Sequence, residues 1–389
     1  MIYATFCVGL YIGVLCRDWG PVLRSQSLMA PKIKTPVATD YVLHWTASFL
    51  ALAGEPAAVY DYSRLKIVEK DVTGSGPLPW PYPPTALLVD LPLALWPYFV
   101  SLAIWLTVTM GVYLLVLYQI APHSLTILWA LAFFGTFVNF AQGQNGFLSA
   151  ALLGGGLVLL ENTPLVGGML LGLVSYKPQI AALIPLALLI GRRWRALAGA
   201  IASGMFLILA SAVVFGYDTW AVFLKNIPGT ITNLYIQPLW FAKMPSVFAA
   251  SRLAGYGVTT AWIGQGVSML VAVALLVWIW SSPASPVIRG MALVLAILLF
   301  SPHIWYYDLT ILALPLAWFW WEGTTHGWLP WEQVLLISSW MIPVVSFSLA
   351  TRLMVPIGPL FLVLPLILLV RRFLWEQAQK PKSMHACPT

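Results

Sequence analysis

A carboxylate and an imidazole stand one helical turn apart in the N-terminal part of the chain. Asp40 opens the stretch Asp40-Tyr-Val-Leu-His-Trp-Thr-Ala-Ser-Phe-Leu50, and His44 follows on the same helical face. A carboxylate at the mouth of a site can act as a general base. An aspartate here also suits the N-cap of a helix, where it complements the helix dipole. From the sequence, both interpretations of Asp40 remain open.

A second group of reactive side chains lies in Ser301-Pro-His-Ile-Trp-Tyr-Tyr-Asp308. A lone histidine near a membrane interface is usually structural. Here His303 is accompanied by Trp305 and Asp308 within about one and a half helical turns, which is typical of a binding site. Asp308 could orient His303, as carboxylates do for functional histidines.

Lys177 lies at a proline break between two apolar runs, within Ser175-Tyr-Lys-Pro-Gln179. An ionisable group beside the hydrocarbon core is energetically expensive and usually has a function. The alternative is a lysine that only extends its ammonium to the interface. Gln179 adds a polar side chain that could bind substrate. Lys243 and Arg252 fall in a longer polar stretch, and we favour an ordinary loop charge for Lys243.

Amide and aromatic side chains mark two further turns. Gln142-Gly-Gln-Asn145 connects two apolar segments, and Gln142, Gln144 and Asn145 are more polar than a turn requires. Such amides suit sugar hydroxyl groups. Trp80-Pro-Tyr-Pro-Pro84 is stiff and extended, because each proline fixes its own φ and restricts the residue before it. It serves either as a plain connection or as a rigid wall that presents Tyr82 to a ligand.

The composition indicates that these groups are positioned by a protein that lies in a membrane rather than in water. Of 389 residues, 60% are apolar and only 8% are charged, whereas a soluble domain carries about 25% charged residues. The 20 Trp and 15 Tyr residues suit two membrane interfaces. The net charge of +7 is interpreted as topology and anionic-lipid contact, because no basic run is interleaved with aromatics as in a nucleic-acid groove. Cys7, Cys16 and Cys387 lack metal or disulfide spacing.

The apolar segments predict an all-α polytopic membrane protein with about 12 transmembrane helices. We interpret residues 1–16 as a retained helix rather than a signal peptide, because no basic region precedes them and no cleavage site follows. Thr85–Trp96 is bounded by prolines and is predicted to be re-entrant or interfacial. The spans are expected near residues 1–16, 98–119, 124–141, 146–161, 164–176, 178–190, 195–216, 262–281, 286–301, 304–321, 332–348 and 354–370.

Basic residues in the short loops orient these spans, because such loops are cytoplasmic. With twelve spans, the basic segments all fall on one face of the membrane; they contain Arg192, Arg193, Arg195, Arg289, Arg371, Arg372, Lys380 and Lys382. Arg17, directly after the first span, opposes this orientation. The polar motifs then fall on the extracytoplasmic face. We expect a single transmembrane domain over 1–375, with large extracytoplasmic loops at 17–97 and 217–261, and a cytoplasmic tail at 376–389.

Taken together, the motifs resemble those of glycosyltransferase family 87. The resemblance extends in order from about residue 40 to residue 320. The motifs that carry it are Asp40 before a Trp-rich helix, Gly54-Glu-Pro-Ala-Ala-Val-Tyr-Asp61, Tyr82-Pro-Pro84, Gly143-Gln-Asn145, Lys177-Pro-Gln179, Arg192-Arg-Trp-Arg195 and Ser301-Pro-His-x-Trp-x-Tyr-Asp308.

This resemblance implies a GT-C-type membrane fold and a polyprenyl-phosphate sugar donor. It implies that Asp40 is the catalytic base of an inverting displacement, and that Lys177, His303 and Arg252 contact the donor phosphate. The substrate-binding positions are then His44, Tyr82, Gln142, Gln144, Asn145, Gln179, Trp305 and Asp308. Mannose is the commonest donor sugar of such a family, and pentofuranoses such as arabinose are the variation.

The expected partners are the lipid-linked donor, an extracytoplasmic glycan or glycolipid acceptor, and membrane lipids, without nucleic acid. We expect no metal and no cofactor, because a phosphate is already a good leaving group, and we expect the plasma membrane as the location. A lipid or glycolipid transporter is the main alternative. Transporters commonly show inverted repeats and midplane sites, whereas here the polar groups fall on one face.

Overall fold

The computed structural model describes residues 2–25, 29–30, 35–36, 38–73, 79–234 and 238–380. Lys382 and Cys387, which the sequence assigns to a tail, lie outside the described residues. The described chain is helical apart from two short antiparallel strands, β1 (Met29–Ala30) and β2 (Thr35–Pro36), in which Met29 faces Pro36.

The α-helices follow the apolar segments, and several are broken by prolines or by 3₁₀ turns. In the described chain they are α1 Ile2–Ser25, α2 Thr39–Leu52, α3 Tyr62–Thr73, α4 Pro84–Asp90, α5 Tyr98–Ile120, α6 Ser124–Ala132, α7 Phe134–Gln142, α8 Gly146–Leu159, α9 Pro164–Leu173, α10 Pro178–Ala181, α11 Ile184–Ile190, α12 Trp194–Phe215, α13 Tyr217–Leu234, α14 Pro238–Ala242, α15 Val247–Leu253, α16 Val258–Ser281, α17 Pro286–Phe300, α18 Ala313–His326, α19 Glu332–Leu353 and α20 Val363–Gln379. The 3₁₀ turns are Pro56–Tyr60, Leu93–Leu95, Val174–Tyr176, Tyr306–Leu312 and Gly358–Leu362.

Five helical segments of the described chain are long and apolar enough to cross a membrane. They are Tyr98–Ile120, Trp194–Phe215, Val258–Ser281, Glu332–Leu353 and Gly358–Gln379. The pair α6 and α7, bent by 62°, would make a sixth, and further apolar helices are shorter. The prediction of an all-helical polytopic membrane protein is confirmed, but length and composition do not establish a count of twelve.

The core is centred on α17. All residues from Met291 to Leu298 are buried, so this helix is apolar on every side and is surrounded by protein. α9 and α12 pack closely because small residues line their contact. A Cβ on Gly168 would overlap the carbonyl oxygen of Ala196, and a Cβ on Gly172 would overlap that of Ala200. The Gly168–Gly172 spacing thus brings two backbones together, as small residues do between membrane helices.

The segment predicted to be re-entrant forms α4 and the 3₁₀ turn after it. It packs on α2, where the Ser48 hydroxyl donates to the carbonyl of Leu91 at 2.7 Å and accepts from the amide of Ala94 at 2.9 Å. Leu87 is fully buried. These contacts hold α4 and the turn after it against α2, the helix that carries Asp40 and His44.

Two of the basic residues used for the orientation, Arg193 and Arg289, lie close together. Arg193 and Arg289 line one small crevice with Glu161, and Arg193 pairs with Glu161 at 2.5 Å. Arg372 differs from a tail charge, because it is buried and paired with Glu332 at the start of α19. Two helix boundaries also differ from the loop and tail predictions: α1 continues past Cys16 to Ser25, and α20 continues to Gln379. Backbone hydrogen bonding does not require apolar side chains, so a helix can extend beyond the apolar segment that it contains.

Candidate active site

Asp40 lies in the first turn of α2, but it does not cap the helix. The N-cap position belongs to Ala38, which has a left-handed backbone with φ 52°. The Asp40 carboxylate instead accepts a hydrogen bond from Nε2 of Gln144 at 3.0 Å. Asp40 retains some solvent exposure, whereas Gln144 is buried. The carboxylate is therefore held in place by the turn between α7 and α8.

A hydrogen-bonded chain continues from Gln144 into the protein. Oε1 of Gln144 lies 3.3 Å from Nε2 of His44, and Nδ1 of His44 lies 2.7 Å from Oδ2 of Asp90. His44 and Asp90 are both buried, and Asp90 is the last residue of α4. Four side chains thus form one row, with Asp90 and His44 at the inner end and Gln144 and Asp40 at the outer end.

Glycine allows the turn between α7 and α8 to reach this position. Gly143 has φ 68°, and a Cβ there would lie 2.5 Å from Cβ of Tyr41 in α2. Gly146 lies so close to Tyr307 that a Cβ would meet its carbonyl oxygen at 2.6 Å. The turn therefore contacts both halves of the site through its backbone.

Asn145, in the same turn, is buried. Its carbonyl accepts from the hydroxyl of Tyr176 at 3.1 Å. Its side-chain oxygen is buried and has no hydrogen-bond partner within the described chain, so this acceptor is unsatisfied in the structure.

Lys177 is fully buried and is paired with Asp308. Its ammonium lies 2.6 Å from Oδ1 of Asp308, whose Oδ2 accepts from the amide of Trp305 at 3.1 Å. The ammonium also lies 5.2 Å from the ring centroid of Tyr307 and 6.0 Å from that of Tyr82. Asp308 thus forms an ion pair with Lys177, a partner that the sequence analysis does not predict; that Asp308 also orients His303 stays a prediction.

Tyr82 connects the two charged groups. Its ring packs 5.5 Å from that of His44 and lies 6.0 Å from the ammonium of Lys177. The stiff proline segment therefore does present Tyr82 to polar neighbours.

His303 lies on an aromatic surface beside this centre. Its ring is 6.1 Å from Phe248 and 6.4 Å from Trp262, and burial lowers the pKa of His303 to about 4. It is therefore neutral at pH 7 and can donate a hydrogen bond without carrying a charge. Arg252 lies 5.4 Å from the ring of Phe241, which packs on Phe248.

Comparison with protein families assigns the chain. The family model of glycosyltransferase family 87 matches residues 80–302, more than half of the 389 residues. The chain belongs to glycosyltransferase family 87. The family-87 resemblance seen in the sequence is confirmed, and the protein is a glycosyltransferase, which acts on a sugar donor and an acceptor. No curated protein and no solved structure matches the chain.

The matched segment contains one partner of each of the two contacts that hold Asp40 and Lys177 in this family-87 protein. Gln144 and Lys177 lie inside it, whereas Asp40 and Asp308 lie outside it and contact it through those two residues.

Some residues chosen from the sequence lie apart from the buried contacts. Gln142 ends α7 and Gln179 lies in α10, and both are partly exposed. Trp305 stacks on Tyr307 with ring centroids 6.0 Å apart. Among the described residues, no three His, Cys, Asp or Glu side chains converge as a metal site requires.

Two charged residues of the glycosyltransferase were missed or given too little weight. Asp90 was missed, although a carboxylate inside the apolar segment 85–96 is itself a signal. Lys243 was interpreted as a loop charge, yet its carbonyl accepts from the amide of Tyr306 at 3.3 Å, and its exposed ammonium acts on Asp40.

These surroundings determine the acidity of Asp40. Burial raises the pKa of the carboxyl above its usual range. The hydrogen bond from Gln144 and the positive charges of Lys243, His44 and Lys177 partly offset this effect. A carboxyl with a raised pKa is a stronger base than an exposed one, and its partial exposure leaves it accessible to an acceptor.

An apolar cavity lies away from these residues. It measures about 190 Å³ and lies between α5, α6, α18 and α19. Its lining is almost entirely apolar, includes Trp129, Trp320, Trp328 and Trp340, and contains no titratable side chain. It therefore lacks the groups that sugar transfer needs, and the charged centre around Asp40 is the better candidate.

Proposed function

We propose that this glycosyltransferase moves a sugar, with mannose as the first candidate, from a polyprenyl-phosphate donor to an extracytoplasmic glycan or glycolipid. One observation carries the proposal: a partly exposed carboxylate, Asp40, is held by the buried amide of Gln144 beside the ion pair of Lys177 and Asp308. A base next to a buried cation suits a reaction that deprotonates a hydroxyl and releases a phosphate.

The proposed reaction is a single displacement. Asp40 takes the proton of the acceptor hydroxyl as its oxygen attacks the anomeric carbon. The bond between that carbon and the phosphate oxygen breaks, and the polyprenyl phosphate leaves with the electron pair. The new glycosidic bond forms on the opposite face, so the configuration inverts.

The leaving phosphate is stabilised in this proposal by Lys177, His303 and Arg252. Lys177 provides a positive charge that Asp308 already shares, and the neutral imidazole of His303 donates a hydrogen bond. The amides of Gln142, Gln144, Asn145 and Gln179, together with His44, Tyr82, Trp305 and Asp308, are proposed to shape the sugar site.

The membrane arrangement is part of the proposal. We infer a GT-C-type bundle of twelve spans in the plasma membrane, with the site at the extracytoplasmic face and the chain forming one domain over 1–375. Arg193 and Arg289 lie beside Glu161, which follows α8, whereas Gln144, the partner of Asp40, precedes α8. This placement supports the orientation, because basic loops are retained in the cytoplasm.

The donor class is tested with purified protein in nanodiscs. We expect transfer of labelled mannose from polyprenyl-phosphate mannose to a glycolipid acceptor, and no transfer from a nucleotide-linked mannose. Transfer with a lipid-linked arabinofuranose donor only would change the sugar but keep the donor class. Movement of lipid-linked sugar across the bilayer without a new glycosidic bond would contradict the proposal and support the transporter alternative.

The orientation is tested by cysteine labelling in intact cells, in a variant lacking Cys7, Cys16 and Cys387. A membrane-impermeant maleimide should modify Lys66→Cys in α3, because this exposed position belongs to the first large loop. It should not modify Arg195→Cys at the start of α12, which is equally exposed. Positions beside Arg372 are unsuitable because burial would also block labelling there. Modification of Arg195→Cys in sealed cells would reverse the orientation.

A further inference from the structure

His44 is held on both ring nitrogens by buried side chains. Nδ1 lies 2.7 Å from Oδ2 of Asp90, and Nε2 lies 3.3 Å from Oε1 of Gln144. The exposed fraction is 0% for His44, 2% for Asp90 and 3% for Gln144. No part of this contact is open to solvent, so the protons on the imidazole are determined by its neighbours.

The orientation of Gln144 determines one of those protons. Its Oε1 accepts from the backbone amide of Asn145 at 3.1 Å, and its Nε2 donates to Asp40 at 3.0 Å. A reversed amide would place donor against donor at Asn145 and acceptor against carboxylate at Asp40. Oε1 therefore faces His44, and Nε2 of His44 must carry a hydrogen to donate to it.

The second proton lies between His44 and Asp90. A buried imidazolium without a counter-charge would lose its proton, because burial disfavours the charged form. Burial alone would lower the pKa of His44, but the charge of Asp90 and the hydrogen bonds to Asp90 and Gln144 outweigh it, so that the pKa is raised. The two groups thus form an ion pair whose positive end faces Gln144 and Asp40.

We propose that Asp90 is a positioning residue of the transferase: by binding Nδ1 it holds His44 as an imidazolium whose Nε2–H fixes the Gln144 amide, which in turn holds Asp40. The inference rests on the proposed function of Asp40 as the base. Asp90 does not touch substrate in this account. It acts through His44 on the orientation of the base and on the charge that the base experiences.

The fixed positive charge has a consequence for pH dependence. Asp40 must be ionised to accept a proton, so the acid limb of the profile of kcat/KM reports its pKa. A nearby positive charge favours the ionised form, and its removal raises the pKa and moves the acid limb to higher pH. The charged and titratable groups that face Asp40 or His44 from the surrounding elements are Asp90, Lys177, Lys243, Tyr82, Tyr98 and Tyr307.

The test compares pH profiles with polyprenyl-phosphate mannose as donor. Asp90→Asn keeps a hydrogen-bonding group of the same shape but allows His44 to become neutral. We expect its acid limb to lie about one pH unit above that of the wild type. His44→Gln should move the limb in the same direction. The double variant should not add to the shift, because each single change already abolishes the positive charge of His44.

Other outcomes separate the inference from the proposed function. Glu332→Gln removes the buried carboxylate that pairs with Arg372 and contacts neither Asp40 nor His44, so it should lower thermal stability without moving the limb. If Asp90 has only a structural role, Asp90→Asn should lower thermal stability without moving the acid limb, as Glu332→Gln does. An unmoved acid limb in both Asp90→Asn and His44→Gln would overturn the inference. If Asp90→Asn does not accumulate, the double variant removes both charges together and tests the same shift. Wild-type turnover by Asp40→Asn would instead contradict the proposed function itself.

Discussion

Asp40→Asn is expected to remove nearly all sugar transfer while the protein still folds and binds its donor. The amide has the shape of the carboxylate and can still accept from Gln144, but it cannot take a proton from the acceptor. Since Ala38 holds the N-cap position, no capping hydrogen bond is lost. Loss of a general base typically reduces turnover by about 10²–10⁴-fold. Steady-state transfer and donor binding measured on the same preparation separate the two steps.

Asp61→Asn provides a matched control in the same part of the chain. Asp61 is exposed, and its carboxylate accepts from the backbone amides of Ser63 and Arg64 at 2.9 and 3.3 Å. It therefore has the capping role that Asp40 lacks. We expect this variant to transfer sugar at the wild-type rate. Asp40→Asn turnover within a few-fold of the wild type would remove Asp40 from the mechanism.

Lys177→Met is expected to weaken both the fold and donor binding. Removal of the ammonium leaves Asp308 as a buried charge without its counter-ion, which typically costs about 3–5 kcal/mol. A lysine that merely extends to the membrane interface would behave oppositely, because its loss would be neutral or stabilising. We also expect donor affinity to fall at least tenfold, because the phosphate loses a charge-assisted hydrogen bond. Thermal unfolding and donor binding in nanodiscs measure the two effects.

The double variant Lys177→Met with Asp308→Asn separates these effects. It removes both charges, so most of the stability should return, whereas donor affinity should stay low. His303→Ala should also weaken donor binding, with a smaller loss of stability because His303 is neutral. Lys225→Met removes an exposed lysine from α13 and should change neither quantity. Unchanged donor affinity in the stable double variant would leave Lys177 a structural ion-pair residue.

The pairing of Lys177 changes what the donor phosphate would meet. From the sequence, Lys177 is an uncompensated cation beside the hydrocarbon, and His303 a second one. In the structure Asp308 neutralises the first, and burial keeps the second uncharged. The attraction for a phosphate then depends more on oriented hydrogen-bond donors than on net charge. The exposed ammonium of Lys243, which acts on Asp40, adds positive potential at the same place.

The sequence alone indicated that this protein lies in a membrane, that it is helical and polytopic, and which family it resembles. With 8% charged residues, the chain cannot form a water-exposed surface, and its apolar runs predict membrane helices. The structure confirms an all-helical polytopic protein, and the family match confirms the glycosyltransferase. These features are local: hydrophobicity and short motifs are properties of neighbouring residues, so they can be recognised without knowing how the helices pack.

Only the tertiary structure decided which of these residues are partners. Asp40 and Gln144 are 104 residues apart, and Lys177 and Asp308 are 131 residues apart. Such pairs depend on the register in which helices pack, and here backbone contacts at Gly143 and Gly146 determine that register. The same packing brings Asp90 from an apolar segment to His44. A pattern along the chain cannot contain these contacts, because the partner of a buried charge is chosen by three-dimensional proximity.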